Sequence, residues 1–333
     1  MTKKQLFGKL LILCVSFIIA AAIAESAIRL LFPVYDPRGY VKFIIDRAGL
    51  CLAQKNFTGR LWINTGEYNV AVAINKYGFR DTKDIARSQY ADIFVVGDSF
   101  SFGYGVEENE RYSDIVADLT GREVYNICAP GDIEQYIKLL DYAQDNGAKI
   151  SNVIMGICME NDLREYDKPA ARDPFLAVTK RFLVARSALA RFIAAQLSVN
   201  DTVRSLAEKF KLLYVQYASL PVPDYSQAAI DQSVKKIVPL SRRYRLVVCI
   251  IPSRALWVGP EEKRSQQSAI HVNFVDELRK SGVFVVDLRE TFERPPGTPL
   301  DYHFKYDGHW NAKGHRAAAR ALYENMAAGP INF

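Results

Sequence analysis

Ala91-Asp92-Ile93-Phe94-Val95-Val96-Gly97-Asp98-Ser99 is the stretch on which the reading of this chain turns. Four consecutive apolar residues, mostly β-branched and closed by a glycine, form the pattern of a strand buried on both faces. A helix-like stretch over Arg111 to Leu119 follows and stops at Gly121. The alternation then repeats. Val124 to Ile127 reads as a second strand, Ile133 to Gln144 as a helix ended by Asn146-Gly147, and Asn152 to Ile157 as a third strand. Phe175 to Leu197 and part of Asp224 to Leu240 have helical spacing. Leu246 to Ile251, closed by Pro252, is a fourth strand, and Val283 to Asp287 a fifth, with helices expected over Gln266 to Lys280 and Ala312 to Met326. Apolar strands separated by helices predict an α/β fold, a doubly wound, five-stranded parallel sheet flanked by helices. Right-handed crossovers place helices on both faces. Ligands of such sheets bind beyond the C-terminal ends of the strands, so that is where chemistry is sought.

Four of those positions carry chemically capable residues. The first strand runs into Gly97-Asp98-Ser99-Phe100-Ser101-Phe102-Gly103-Tyr104-Gly105-Val106, the second into Asn126-Ile127-Cys128-Ala129-Pro130-Gly131, and the third into Met159-Glu160-Asn161-Asp162. Beyond the fifth, ahead of the last helix, lies Asp307-Gly308-His309-Trp310-Asn311. Each has an ordinary explanation when taken alone. Ser99 can be a helix N-cap after a strand, Asn161 can end one, and Asp98 and Asp162 suit turns and caps. Four in order along one predicted edge point to a site. Ser101 is a rival nucleophile, and Asp301-x-His303 a rival acid–histidine pair. His315 falls in the last helix, where a structural role is expected. Arg254, just after the fourth strand, reads as a surface arginine or as a contact for an anionic or sugar group. Trp257 and Trp310 read as packing aromatics or as rings on which a sugar stacks.

Gly97-Asp98-Ser99 followed by an aromatic residue resembles the nucleophile block of the SGNH (GDSL-type) hydrolases. Gly131 resembles that family's second-block glycine, and Asn161-Asp162 its third-block asparagine with the aspartate after it. Asp307-x-His309 resembles the final acid–histidine block, shortened by one residue. The shortened form, with Trp310 next, is similar to that of membrane-anchored or periplasmic members, among them proteins related to the alginate-acetylation machinery. Asn75-Lys76-Tyr77-Gly78-Phe79-Arg80-Asp81 also resembles a segment of such members. The resemblance spans about Asn75 to Met326 and is weak over Phe175 to Leu240. It implies the flavodoxin-like SGNH fold, with Ser99, His309 and Asp307 as catalytic residues. It also implies the Ser99 and Gly131 backbone N–H groups and the Asn161 side chain as oxyanion donors.

The chemistry of those residue types is consistent with the roles. A serine hydroxyl attacks poorly until a base takes its proton. A carboxylate two residues from His309 can fix the imidazole tautomer and stabilise the imidazolium. Acyl transfer needs donors aimed at the developing oxyanion, and a glycine lets substrate approach the backbone. No GxSxG is present, so the α/β-hydrolase elbow does not apply. No metal or organic cofactor is implied. No CxxC or zinc-like Cys/His spacing occurs, and Cys128, Cys158 and Cys249 read as buried free thiols.

The first thirty residues are of another kind. Lys3, Lys4 and Lys9 precede a run from Leu10 to Ala24 without charge. Lysines ahead of an apolar segment predict a cytoplasmic N-terminus and a body on the far side of an inner membrane. Ala22-Ile23-Ala24 fits a signal-peptidase site, which would release the body. Continuation of the apolar pattern to Phe32 favours an uncleaved single-pass anchor, since a span needs about 20 residues. Residues 1–32 are thus expected as tip and anchor, 33–88 as an extension packing on the domain, and 89–330 as the hydrolase domain with a helical insertion at about 165–242. Net charge is +6, with Lys and Arg dispersed among Asp and Glu, so no basic stripe indicates nucleic-acid binding. The expected function is a serine esterase that removes O-acyl, notably acetyl, groups from a cell-surface glycan. An exopolysaccharide O-acyltransferase and a non-catalytic glycan-assembly scaffold are the alternatives.

Overall fold

The computed structural model describes residues 3–63, 65–168, 185–199, 201–209, 224–294 and 296–329. In chain order a long helix, α1 (Lys3–Leu31), is followed by four short strands: β1 (Phe43–Ile45), β2 (Cys51–Ala53), β3 (Thr58–Trp62) and β4 (Asn69–Ala73). Then come β5 (Ile93–Val96), α2 (Ser99–Phe102), α3 (Tyr112–Thr120), β6 (Val124–Asn126), α4 (Ile133–Asp145) and β7 (Asn152–Cys158). After these lie α5 (Ala188–Val199), α6 (Asp201–Lys209), α7 (Gln227–Arg243), β8 (Arg245–Ile251), α8 (Glu261–Lys280), β9 (Phe284–Asp287), α9 (Leu288–Phe292) and α10 (Ala312–Ala328). The part of the expected helix over residues 175–184 lies outside the described residues.

The chain divides into two compact units. The smaller holds Met1–Tyr40, Asn64–Gly66 and Ala170–Leu213. Within it α1 is long and apolar enough to cross a membrane, with none of its residues buried. Near its C-terminal end Glu25 accepts hydrogen bonds from the backbone N–H groups of Ala188 and Leu189 at 2.9 and 2.8 Å, supplying acceptors to the orphan donors at the start of α5. Arg29 joins Glu25 to Asp36.

The larger unit holds Val41–Ile63, Glu67–Pro169 and Tyr214–Phe333. Its centre is a five-stranded sheet in the order β6-β5-β7-β8-β9, every neighbour parallel. The predicted α/β class and strand count are therefore observed. Successive strand residues point to opposite faces. Phe94, Val96, Val153, Met155, Val248 and Ile250 join one buried cluster with Tyr136 and Leu139 of α4 and Phe274 of α8. Ile93, Val95, Ile154, Val247 and Cys249 join another with Val116 of α3 and Leu322 of α10. Two wet-side helix layers thus enclose the sheet, which explains why its strands read as unbroken apolar runs.

β1 pairs with β2 and β3 with β4, both antiparallel. The Asn75–Asp81 segment secures the β4 side to the sheet. Arg80, fully buried, donates to the carbonyls of Gly103 at 2.6 Å and Val106 at 2.7 Å, and Asp81 accepts from the Asn126 N–H at 2.8 Å. The loop behind α2 is therefore fixed by a guanidinium whose two terminal nitrogens donate to backbone oxygens.

Candidate functional site

At the end of β5 the chain must turn between two strands. A Cβ on Gly97 would stand 2.3 Å from Ser101 Oγ and 3.0 Å from the Gly156 carbonyl, so only glycine passes. Asp98 then caps α2, accepting from the Phe100 N–H at 2.9 Å. The cap is thus Asp98, and Ser99 is left as the first residue of a one-turn helix, half-buried and free to face outward.

His309 meets it there. His309 Nε2 lies 2.8 Å from Ser99 Oγ, and His309 Nδ1 is hydrogen-bonded to Asp307 Oδ1. The His309 backbone N–H also donates to that oxygen at 3.2 Å. The residue between them, Gly308, has φ +85°, and a Cβ there would overlap the Arg254 guanidinium at 1.4 Å. The Asp-Gly-His turn therefore lies flat on Arg254. Phe100 and Tyr104 hold the imidazole, with ring centroids 4.9 and 5.0 Å from that of His309.

The electrostatics separate His309 from its rivals. Burial lowers His309, but the Asp307 carboxylate outweighs it and raises the imidazole above its ordinary value. Burial by itself would raise Asp307; His309 and the hydrogen bonds it receives hold it below the usual carboxylate range. Asp98, whose second oxygen has no partner, is pushed up by burial to about 6. Burial takes His303 and His315 down to about 3. His303 bonds the Pro299 carbonyl rather than Asp301, and His315 Nδ1 accepts from the Tyr112 N–H at 3.3 Å. Ser101 is buried and receives the Tyr112 hydroxyl at 2.8 Å, away from either histidine pair.

Gly131 and Asn161 stand on the loops after β6 and β7, at the same edge, and no hydrogen bond joins either to the Ser99–His309–Asp307 chain among the described residues. Asn161 is exposed. A Cβ on Gly131 would stand 2.3 Å from Gln135 Cγ, so packing against α4 favours a glycine there. Asp162 is buried and accepts from the Tyr136 hydroxyl at 2.8 Å and the Cys158 N–H at 2.6 Å, a strand-end tie.

Arg254 corrects the reading as a surface arginine. It is 4% exposed and makes a two-pronged pair with Glu160, 2.8 Å at each contact. Glu160 is held below the ordinary glutamate value because that guanidinium outweighs the burial that would raise it. Trp310 is fully buried in aromatic packing, and Trp257 donates to Glu293. Two contacts escaped the sequence reading altogether. The Tyr68 hydroxyl donates to Asp307 Oδ2 at 3.1 Å, and Glu67 accepts the backbone N–H groups of Tyr306 and Asp307 at 3.0 Å. No local motif marks either residue; only a long-range pairing signal across a sequence separation of 239, from Tyr68 to Asp307, would have found them.

Residues 198–332 match the family described as "SGNH hydrolase-like domain, acetyltransferase AlgX", which bears out the SGNH-type resemblance and the ester-hydrolase or acetyltransferase class. The match takes in Asp307 and His309 and begins after Ser99, Gly131 and Asn161. No curated protein matches the sequence. Among solved structures, a carbohydrate esterase family 2 enzyme with a carbohydrate-binding domain from Corynascus thermopiles (Myceliophthora fergusii) is similar at 15% identity, with 74% of this chain and 68% of that one covered and a TM-score of 0.40. A lipolytic G-D-S-L family member from Veillonella parvula is similar at 11% identity, with 71% and 98% covered and a TM-score of 0.40. A lipase/acylhydrolase from Enterococcus faecalis is similar at 13% identity, with 71% and 96% covered and a TM-score of 0.38.

Proposed function

We propose that this chain, with its SGNH hydrolase-like domain, is a membrane-tethered serine enzyme that removes or transfers an O-acyl group, acetyl in the first instance, on a glycan outside the cytoplasm. The single observation that carries it is the chain of contacts from Asp307 through His309 Nδ1 and Nε2 to Ser99 Oγ, the last at 2.8 Å. Ser99 Oγ attacks the ester carbonyl carbon while its proton passes to His309 Nε2. The negative charge on the carbonyl oxygen is held by the Ser99 and Gly131 N–H groups and the Asn161 side chain. Collapse expels the alcohol, which takes the proton back from His309 and leaves an acyl-serine. Water then attacks with His309 again as base, releasing carboxylic acid and free Ser99. Asp307 keeps the proton on Nδ1 throughout. The apolar helix α1, with Lys3, Lys4 and Lys9 in its first two turns, supports a single-pass inner-membrane anchor with a cytoplasmic N-terminus. The SGNH resemblance to alginate-acetylation proteins supports the glycan.

A second reading, transfer of the acyl group to an acceptor hydroxyl in place of water, is favoured by the acetyltransferase description of the matching family. Acetate release from p-nitrophenyl acetate, with and without polysaccharide acceptor, separates the two. Hydrolysis that falls as acetylated polysaccharide accumulates identifies a transferase, and hydrolysis unaffected by any acceptor identifies an esterase. No acyl-serine and no turnover under either condition defeats both readings.

A further inference from the structure

We propose that the β3–β4 hairpin contributes two positioning residues to this centre, Tyr68 and Glu67, which hold Asp307 so that one carboxylate oxygen is always presented to His309. The inference rests on the acyl-transfer reading above. Asp307 has two oxygens and both are assigned. Oδ1 takes His309 Nδ1 and the His309 N–H; Oδ2 takes the Tyr68 hydroxyl at 3.1 Å. A carboxylate tied at one oxygen rotates about its Cβ–Cγ bond; tied at both, it cannot turn without losing a hydrogen bond to a charged acceptor. Tyr68 is itself held, buried at 8% exposure with its ring 5.1 Å from that of Phe304.

Glu67 acts on the backbone. Its two oxygens accept the N–H groups of Tyr306 and Asp307, all at 3.0 Å. These are the residues that lead into the turn at Gly308, whose left-handed φ leaves little slack. The hairpin register, with Trp62 opposite Asn69, sets Glu67 and Tyr68 immediately before β4 begins. Side chain and main chain of the acid are thus both gripped from one element outside the parallel sheet.

The consequence reaches His309. The groups that act on its charge are Asp307 and Asp98, which favour the imidazolium, and Arg254, which opposes it; Ser99 Oγ, Phe100 and Tyr104 complete its surroundings. The Tyr68 hydroxyl draws charge from Asp307. Without it the carboxylate favours the imidazolium more, so the His309 pKa rises and the acidic limb of the pH–rate profile moves to higher pH.

The test uses the full-length chain in detergent, with p-nitrophenyl acetate as substrate. Tyr68→Phe removes one oxygen and keeps the packing. It is expected to lower kcat about 10-fold, leave KM within about twofold and shift the acidic limb upward by about half a pH unit. Glu67→Ala is expected to lower kcat by a similar factor, and Glu67→Gln, whose amide oxygen still accepts, to restore most of it. Wild-type kcat and an unmoved limb in Tyr68→Phe would overturn the proposal, as would a rate loss that follows only the loss of folded protein. Ser99→Ala, run alongside, distinguishes the two levels. If it hydrolyses as fast as wild type, the acyl-transfer reading itself falls, whatever Tyr68→Phe does.

Discussion

Among the described residues the larger unit contains two histidine–aspartate pairs that differ at the second ring nitrogen and in their exposure. His309 lies against Asp307, and His271 of α8 against Asp287 at the end of β9, with Nε2 2.9 and 3.0 Å from its two oxygens. Both aspartates are held below the ordinary carboxylate range, in each case because the histidine outweighs the burial that would raise them. The second ring nitrogen tells them apart. In His309 it meets Ser99 Oγ; in His271 it is Nδ1, buried with no hydrogen-bond partner. His271 is 2% exposed, whereas the His309 side chain is 18% exposed. A histidine–aspartate pair is therefore a strut until a nucleophile and an opening to solvent are added.

Substitution of each histidine breaks the comparison most sharply. His309→Ala is expected to lower esterase activity by about 10⁴-fold, with the smaller stability loss of the two variants, because Asp307 keeps the Tyr68 hydroxyl and the His309 side chain is 18% exposed. His271→Ala is expected to do the reverse. Removing one partner of a buried pair leaves Asp287 uncompensated, at a cost of about 3 kcal/mol in stability, with kcat of the folded enzyme unchanged. Urea unfolding and esterase assays on the same preparations check both. Equal losses of activity in the two variants would erase the distinction.

A smaller effect sharpens it. Asp307 raises His309, and the base form of an imidazole exists above its pKa. Activity should therefore climb with pH through a value above about 6.5, the ordinary histidine figure, rather than at or below it. The acidic limb of kcat/KM measures this. A limb at 5 would remove Asp307 from the account.

Legibility in the sequence follows the range of the interactions. The parallel sheet was readable because burial on both faces leaves unbroken apolar runs such as Ile93–Val96, and the strand ends then located the candidate residues. Ser99, Asp307 and His309 stood out because each lies in a short local block. The hairpins were not readable. β1 and β2 have three residues each, and Ile44 and Ile45 are exposed, so no alternation marks them. Tyr68 and Glu67 matter only through residues far along the chain. Arg254 was misread because an arginine looks exposed until its partner is known, and Glu160 is supplied by another strand end. His271 carries no signal in the sequence, since nothing in its helix distinguishes it from a packed residue.

In the proposed mechanism Ser99, activated by His309, carries the acyl group. The most direct measurement is the initial rate of p-nitrophenyl acetate hydrolysis by the full-length chain in detergent, beside Ser99→Ala with its folding verified. The rate is expected to fall about 10³-fold or more in the variant, with an acetylated Ser99 trapped by rapid acid quench of the wild type. Undiminished hydrolysis in Ser99→Ala would contradict it.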